Sequence, residues 1–563
     1  MVRKFLDFLY KGFLHREINS LNQAAFLLGL FSVLSQIIGF LRDRLLASIF
    51  GVGSELDVYY SAFRIPDFLF VSVASVVSLS VLIPFIIEKD SESRESLRKF
   101  IDSIFSFFSL LIIAVAILTY FLMPFISQVL FKGMSPNELT QVVFISRLLL
   151  LSPIILGLSN LFGSLTQAYN RFIIYALAPI LYNAGIVIGI LLFSKGMGVV
   201  GVALGVILGA ILHLVIQVPF VWKAGLMPRL SLKPDWKIIE KVAKISIPRT
   251  LTLSMSAITF IFLVALAARM VNGSVSILSF SWNLQTISLS IIGVSYSLAA
   301  FPTLSRKFQE KNIKEFVEQM EVSARFIIFW SLPLTALLVV LRAQIVRVLL
   351  GSGLFDWSAT RLTAAALALF VISSVFQSLL LLFMRGFYSA GFTKKPFFIN
   401  LISNVFLIIF SYELVNIFYA SNTFHYFITT ILKVEDLPGS AVLMLPLGFT
   451  LGTIINGILL WIAFEWEFRG FSRGVMRAVF EGLGSSFILG GMTYVGLQIF
   501  ATFLPPNTVV GIFLQGFLSG MLGIVAAIII LLALKSRELL SVWSVIRGKF
   551  WKTKVIATDP EIV

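Results

Sequence analysis

The chain has 563 residues, of which 58% are hydrophobic and only 13% are charged. Such a composition excludes an ordinary water-soluble protein, in which about a quarter of the residues are charged. The formal net charge of +16 would suit a nucleic-acid-binding protein. However, the basic residues fall in short loops between apolar segments, which indicates a membrane surface instead. The chain contains no cysteine, which excludes disulfide bonds and thiolate chemistry.

Long apolar segments recur along the chain and predict an all-α, polytopic membrane protein. A helix needs roughly 20 apolar residues to cross a hydrocarbon core about 30 Å thick, and about fourteen segments meet this requirement. The predicted spans are 24–41, 61–87, 101–126, 141–168, 172–194, 197–222, 240–268, 275–302, 322–341, 362–390, 396–419, 441–464, 478–503 and 509–534.

The loops between these spans carry their charges asymmetrically. Those around Arg94 and Arg306 are rich in Lys and Arg, whereas the loops on the other side, near 132, 195, 433 and 505, hold one Lys or none each. The positive-inside rule therefore predicts a protein of the cytoplasmic (inner) membrane with both termini in the cytoplasm and its basic loops against anionic lipids. The first 20 residues suit either an amphipathic helix on the inner surface or a disordered basic tail.

Charged side chains lie beside or inside apolar segments in the stretch from Leu34 to Pro84. The residues that we single out there are Arg42, Asp43, Arg44, Asp57 and Arg64. Charges at membrane depth are costly and usually face a protein interior or a watery cavity. The alternative is that they lie at the interface and that their long side chains reach out to water.

A weak internal sequence similarity predicts that the chain is divided into two lobes. The segments 61–84 and 279–302 have equal length, are rich in serine and end on proline. Many transporters are built from repeated lobes around a central site. The predicted order is an N-terminal segment (1–20), a six-span lobe (21–222), a second six-span lobe (223–467) with an outward loop at 420–440 that is a lid or a linker, two further spans (468–535) and a basic cytoplasmic tail (536–563).

Polar residues recur at helical spacing in two predicted spans. They are Ser72, Ser75 and Ser78 in the second span, and Ser279, Asn283, Thr286, Ser290, Gly293 and Ser297 in the eighth. Each series lies on one helical face. Such a face either packs closely against another helix or lines a hydrated path, and the sequence leaves both alternatives open.

Two polar pairs also have both a structural and a ligand-binding interpretation. Asn400 and Asn404 share a helical face, and their carbonyl oxygens suit a cation such as Na+. Membrane asparagines more often bond across helices. His213 and Gln217 favour a hydrogen-bonded buried pair over a ligand site.

Sequence signatures of catalysis are absent. The histidines, His15, His213 and His425, are far apart in the sequence, and no HExxH, GxSxG or P-loop pattern is present. A membrane-bound glycosyltransferase or ligase would need an acid–base carboxylate and a sizeable outward domain, and neither is evident. We therefore predict a membrane protein without catalytic residues or bound cofactor.

The charged stretch resembles the first two helices of the MurJ (MviN) family of lipid II flippases, which belongs to the superfamily of multidrug exporters and polysaccharide flippases. The resemblance is carried by Gly39-Phe40-Leu41-Arg42-Asp43, Ile49-Phe50-Gly51-Val52-Gly53, Asp57, Ala62-Phe63-Arg64-Ile65-Pro66 and Pro84. Further matches are Asn170-Arg171-Phe172, Ala178-Pro179, Asn183, Gln217, Gly273-Ser274-Val275-Ser276, Leu349 to Phe355 and Arg385-Gly386-Phe387-Tyr388. The similarity covers about residues 24–410.

The resemblance implies two six-helix lobes, two extra C-terminal helices and a central cavity that opens alternately to either side. The implied substrate is lipid II, a peptidoglycan precursor in which a sugar–peptide is linked to undecaprenyl pyrophosphate. Arginines of the cavity would bind the pyrophosphate, since guanidinium groups pair bidentately with phosphate oxygens. Arg42, Asp43 and Asp57 carry over directly.

Three positions depart from the family pattern, and each replaces an arginine. They are Gln36, Phe70 and Asn283. Arg64 stands where the family often has Lys, and Arg44 is additional. The cationic cluster is therefore thinner than in the family and concentrated in the first lobe.

We predict a lipid II flippase that works by alternating access, in which Arg42 holds the pyrophosphate. The other substrate-binding candidates are Arg64, Arg44, Asn283, Gln36 and Ser75. Asp43 and Asp57 would orient the arginines or gate the outward face. The membrane potential, or Na+ at Asn400 and Asn404, would supply the energy, and we expect a monomer.

Two alternative functions use the same observations. The first keeps the fold and changes the cargo to another polyprenyl-pyrophosphate oligosaccharide or to a small molecule exchanged by antiport. The second is a non-transporting scaffold for cell-envelope synthesis. In a scaffold, neutralising the cavity charges would leave function intact.

Overall fold

The computed structural model describes residues 21–73, 79–231, 234–505 and 508–543. These residues form helices joined by short connections and contain no β-strand, which confirms the prediction of an all-α membrane protein. The predicted N-terminal segment 1–20 and residues 544–563 of the predicted tail lie outside the described residues.

The helices are numbered here in chain order. They are α1 (Leu21–Phe50), α2 (Ser54–Val73), α3 (Leu79–Glu92), α4 (Arg94–Leu130), α5 (Pro136–Ala168), α6 (Phe172–Met197), α7 (Val199–Lys223), α8 (Trp236–Ala267), α9 (Ser274–Gln309), α10 (Ile313–Val340), α11 (Arg342–Leu350), α12 (Trp357–Ser389), α13 (Lys394–Ala420), α14 (Asn422–Leu432), α15 (Ser440–Glu467), α16 (Phe471–Ala501) and α17 (Val509–Ala533).

Within the described part of the chain, 11 helices are long and apolar enough to cross a membrane. They are α4 to α7, α9, α10, α12, α13 and α15 to α17. The other predicted spans, 24–41, 61–87 and 240–268, overlap α1, the α2–α3 segment and α8. The total of fourteen spans stays a prediction.

The contact between α6 and α7 explains why glycines recur in α7. Gly205 faces α6, and a Cβ atom built on it would lie 2.7 Å from the Cα atom of Gly189. This distance is much shorter than an ordinary carbon–carbon contact of about 3.5–4.0 Å, so the two backbones touch and only a residue without a side chain fits. The small residues of α7 therefore form a packing face against α6.

The chain divides into two compact units. Among the described residues, the first comprises those within 1–281, 349–366 and 400–449, and the second comprises those within 282–348, 367–399 and 450–563. Phe100 and Phe108 lie in the apolar core of the first unit, and Phe316 and Phe464 lie in that of the second. The lobe boundaries predicted from the sequence stay a prediction.

The segment 420–440, predicted as an outward loop, contains the helix α14. Ser421 caps this helix by accepting a hydrogen bond from the N–H of Phe424 at its hydroxyl oxygen (3.3 Å). Beyond α14, Arg361 donates to both carboxylate oxygens of Asp436 at 2.6 and 2.8 Å. The bonded guanidinium holds the pKa of Asp436 below its ordinary value, and the pair ties the segment to the start of α12.

Candidate functional site

Arg42 and Asp43 form a bonded pair near the C-terminal end of α1. The Nε and Nη2 atoms of Arg42 donate to Oδ1 of Asp43 at 2.9 and 2.8 Å, and Nη1 donates to Oδ1 of Asn183 in α6 at 3.1 Å. Asn183 in turn donates to the hydroxyl of Ser35 at 3.3 Å. The Asp43 side chain is only 5% exposed, whereas that of Arg42 is 23% exposed. The guanidinium is therefore held by its partners and still accessible.

The helix α2 places two tyrosines and a second arginine beside this pair. Arg64 donates from Nε to the carbonyl of Tyr60 at 2.9 Å, and its guanidinium lies 4.9 Å from the ring centroid of Phe260 in α8. Tyr59 and Tyr60 both interact electrostatically with Arg42 and with Arg64. The two arginines therefore belong to one site within the first unit.

A proline explains how α2 is fixed at the level of Arg64. Pro66 lies inside α2 and has no N–H group, so the carbonyl of Ala62 loses its intrahelical partner. The hydroxyl of Ser146 in α5 donates to this carbonyl at 2.9 Å. Because an unsatisfied carbonyl is costly at membrane depth, this bond holds α2 against α5 and positions the turn that carries Arg64.

Asp67 is a member of this site that the sequence analysis did not single out. It lies three residues after Arg64, on the same face of α2, and is half-buried. It interacts electrostatically with Arg64 and with Tyr182 of α6, which also interacts with Arg42. Its signal in the sequence is a carboxylate inside an apolar segment. We call Arg42, Asp43, Tyr59, Tyr60, Arg64, Asp67, Tyr182 and Asn183 the arginine site.

Asp57, in the first turn of α2, caps the start of α9. Its carboxylate is buried and accepts hydrogen bonds from the N–H of Gly273 (2.7 Å), the N–H of Ser276 (2.8 Å) and the hydroxyl of Ser276 (2.6 Å). The first N–H groups of a helix have no intrahelical acceptor, and the helix dipole favours a negative charge there. The capping residue precedes Gly273 by 216 positions in the chain.

Three turns meet next to this cap. We call them the turn cluster: residues 51–53, 271–274 and 351–355. The N–H of Leu354 donates to the carbonyl of Ser48 at 2.9 Å. Gly353 has a φ of +57°, and a Cβ atom there would lie 2.2 Å from the same carbonyl oxygen. Both the backbone conformation and the close approach therefore require glycine. This end of the first unit is closed by direct backbone contact.

The remaining predicted substrate-binding residues lie in several places. Gln36 and Arg44 are half-buried on α1. Residues two apart on a helix do not face each other, so Arg44 lies on a different face of α1 from Arg42. Asn283 is half-buried in α9 and belongs to the second unit, and Ser75 lies outside the described residues. The predicted roles of these four residues stay predictions.

Asn400 and Asn404 form hydrogen bonds within α13 and across to α8. The hydroxyl of Thr259 donates to Oδ1 of Asn404 at 2.8 Å, and Nδ2 of Asn404 donates to the carbonyl of Asn400 at 2.8 Å. This is the helix-to-helix bond that was the alternative to cation binding. In the part of the chain that the structure describes, no group of three or more His, Cys, Asp or Glu residues could hold a metal ion. An Na+ site at the two asparagines stays a prediction.

Two neutral networks occupy other parts of the helices. In the first unit, the hydroxyl of Ser159 accepts from Nε2 of Gln217 at 2.6 Å and lies 2.7 Å from Nδ1 of His213, which confirms a hydrogen-bonded buried group. In the second unit, Nε2 of Gln377 donates to Oε1 of Gln285 at 3.1 Å and to the hydroxyl of Ser373 at 2.8 Å. Gln285 therefore bonds α9 to α12.

Comparison with known proteins connects this geometry to a family. The family model described as lipid II flippase MurJ matches residues 46–515. A protein of Buchnera aphidicola subsp. Schizaphis graminum, described as a probable lipid II flippase MurJ, is 28% identical over 382 residues, which are 67% of this chain and 74% of that protein. The lipid II flippase MurJ of Burkholderia cenocepacia is 23% identical over 479 residues, which are 82% of this chain and 88% of that protein.

Two solved structures share the fold. A lipid II flippase MurJ in an inward closed conformation superimposes with a TM-score of 0.72 at 21% identity and covers 90% of this chain and 99% of its own. An inward-facing multidrug resistance transporter of the MATE family has a TM-score of 0.61 at 16% identity, with coverages of 79% and 94%. The chain therefore shares its helical fold with both of these transporters.

Proposed function

Because the chain belongs to the MurJ family of lipid II flippases, which makes it a membrane transporter, we propose that it moves lipid II across the cytoplasmic membrane by alternating access. The observation that carries the proposal is the arginine site. Arg42 and Arg64 are half-buried guanidinium groups on apolar helices, held by Asp43, Asn183 and a backbone carbonyl. Donors that are already oriented bind a phosphate with little further loss of side-chain entropy.

The members of the arginine site have separate tasks in this proposal. Arg42 binds the pyrophosphate through donor positions that Asp43 and Asn183 leave unused, since a guanidinium has five N–H donors. Arg64 assists from α2, and Arg44 contributes positive charge nearby. Asp43 orients Arg42 and prevents the guanidinium from turning out of the site.

Asp57 and the turn cluster form the gate. With both termini in the cytoplasm, as the loop charges predict, the turn cluster lies on the outward side. The gate also contacts the arginine site, because the ring of Phe280 lies edge-on between Tyr60 (5.7 Å) and Phe355 (5.8 Å). Release of the α9 cap at Asp57 would free this end to open and let the headgroup leave.

The remaining predicted residues and the energy source complete the proposal. Gln36, Ser75 and Asn283 would hydrogen-bond the sugar–peptide headgroup. The membrane potential would drive the anionic cargo outward, at about 2.3 kcal/mol per charge per 100 mV, and Na+ at Asn400 and Asn404 is the alternative driving ion. We propose a monomer whose basic loops contact anionic lipids of the inner leaflet.

The test of this function is replacement of Arg42. We expect Arg42→Ala to abolish lipid II translocation, because the principal phosphate donor is lost, while expression and membrane insertion remain normal. Arg42→Lys should also fail to restore full activity, since an ammonium lacks the planar fork that Asp43 and Asn183 orient. Translocation is measured as rescue of cells depleted of their own flippase and as exposure of lipid II on the outer surface.

The matched control is Arg477→Ala. Arg477 is an exposed arginine of α16 that pairs with Glu481 at 2.5 Å, and it lies outside the arginine site. Its removal should leave translocation unchanged. Full activity of Arg42→Ala at normal expression would refute the proposed function.

A second cargo is favoured by the charge balance of the arginine site. Asp43 and Asp67 match the two arginines in number, so the site carries no net formal charge. Such a site also suits a different polyprenyl-pyrophosphate oligosaccharide. Failure of the wild-type chain to rescue flippase-depleted cells, with intact expression, would favour this cargo over lipid II.

A further inference from the structure

The two carboxylates of the arginine site are in different situations. Asp43 is paired directly with Arg42, which donates two hydrogen bonds to its Oδ1. Asp67 has no hydrogen bond and no ion pair with any residue in the described ranges; the charge nearest to it is that of Arg64, and the Tyr182 ring lies close by. One carboxylate thus remains available beside the proposed phosphate-binding groups.

Arg64 does not neutralise Asp67 by direct contact. Its Nε atom donates to the carbonyl of Tyr60, and its guanidinium stacks on Phe260. An ionised carboxylate at membrane depth is costly unless a positive group or several donors compensate it. Because Asp67 is half-buried rather than enclosed, a ligand in the site can reach it.

We propose that Asp67 binds a cationic group of the cargo, a primary ammonium, next to the anionic group that the arginines hold. The inference rests on the proposed function, because it assigns a specificity residue to the same site. Asp67 and Arg64 are three residues apart on one helix face, which places their Cβ atoms about 5–6 Å apart. A headgroup that carries a phosphate and an amine at a similar separation matches both side chains at once.

Charge arithmetic supports an ammonium rather than a purely anionic headgroup. The arginine site holds two guanidinium groups and two carboxylates, so its formal charge is zero. A headgroup with only negative charge would meet Asp67 as a like charge, which disfavours binding. A headgroup without negative charge would leave the donors of Arg42 without an acceptor. A zwitterionic headgroup satisfies both.

The experiment compares two ligands and two proteins. The ligands are a short-chain polyprenyl-pyrophosphate amino sugar with a free amine and its N-acetylated counterpart, and the full-length detergent-solubilised proteins are the wild type and Asp67→Asn. Asparagine keeps the size of the side chain and removes its charge. By calorimetry at neutral pH, we expect the wild type to bind the free amine about tenfold more tightly than the acetylated ligand, and Asp67→Asn to bind both equally.

The possible results separate the inference from the proposed function. Equal affinity of the wild type for the two ligands overturns the inference and leaves the phosphate-binding role of the arginines intact. Failure of the wild type to bind either ligand contradicts both. A third result also overturns the inference. If the affinity for both ligands rises equally as the pH falls, and this rise is absent in Asp67→Asn, then Asp67 binds a proton and not an ammonium.

The matched control is Glu435→Gln. Glu435 is an exposed carboxylate between Lys433 and the Asp436 pair, and its neutralisation changes the net charge by the same amount. We expect it to keep the wild-type preference for the free amine. Loss of the preference in this variant would show a general charge effect and would contradict a role for Asp67.

Discussion

The arginine site of the first unit and the Gln285 network of the second unit are both polar clusters on membrane-length helices, but they differ in charge. In the second unit, amide and hydroxyl groups bond to one another, as Gln377 does with Gln285 and Ser373. In the described part of the first unit, Asp43 and Asn183 leave two N–H donors of Arg42 unused, and Asp67 has no direct partner. Neutral groups that satisfy one another hold helices together, whereas charged groups with unused capacity bind ligands.

Replacement of Asp57 should have the largest effect. Asp57 is a buried charge of the first unit whose carboxylate accepts hydrogen bonds from Gly273 and Ser276. Asp57→Ala leaves the N–H groups of Gly273 and Ser276 without their acceptor. Hydrogen bonds to a charged group are worth roughly 1.5–3 kcal/mol each, so we expect the turn cluster to open. A cysteine introduced at Val52, in a chain that has none, should then react faster with a membrane-impermeant maleimide.

The control for this change is Asp57→Asn, which keeps one carbonyl oxygen as an acceptor and should give an intermediate labelling rate. Unchanged labelling in Asp57→Ala would show that the α9 cap does not hold the turn cluster closed. The charged groups of the first unit would then have no gating role.

Replacement of Gln377, in the neutral Gln285 network, should have a smaller effect. Gln377→Ala removes neutral hydrogen bonds worth about 0.5–1.5 kcal/mol each. We expect a modest fall in the thermal unfolding midpoint and a loss of lipid II translocation of less than tenfold. Both are measured beside Arg42→Ala in the same assays. Complete loss of translocation at unchanged stability would mean that the second unit also binds the headgroup.

The exposed pair of Arg361 and Asp436 should have the smallest effect. Exposed ion pairs contribute little, so Asp436→Asn should lower the thermal midpoint only slightly at pH 7. The folded-state pKa of Asp436 is lowered, so the contribution is present above the ordinary aspartate pKa of about 3.9 and is lost as the pH falls through the lowered value. The thermal unfolding midpoints of the wild type and of Asp436→Asn, measured from pH 7 to acid, should therefore converge. A difference between the two midpoints that stays constant with pH would contradict the pairing.

Much of the fold and part of the arginine site follow from the sequence. Apolar segments of membrane length predict helices, because in lipid only a helix forms all of its backbone hydrogen bonds within a single segment. The charged stretch identifies Arg42, Asp43 and Arg64 because charge is rare in such segments. Asp67 carries the same signal and was missed, since its relation to Tyr182 depends on a neighbouring helix.

Contacts between distant helices are the part that the sequence did not reveal. Asn404 fits a cation ligand and a helix-bridging group equally well on periodicity alone, and only the position of Thr259 in α8 shows the bridge. Ser146 carries no motif, and its bond to the carbonyl freed by Pro66 becomes meaningful only when α5 lies against α2. Periodicity identifies the face of a helix but not the helix that it meets.

The sequence by itself determined the class of this protein, its family and the stretch that holds its charges, because hydropathy, composition and local motifs are properties of neighbouring residues. The tertiary structure decided how those charges are used. Asp57 became the cap of a helix that starts more than 200 residues later, and Arg42 was held by Asn183 of α6. The physical reason is that the state of a charged group depends on which partners reach it in space, and those partners come from other helices.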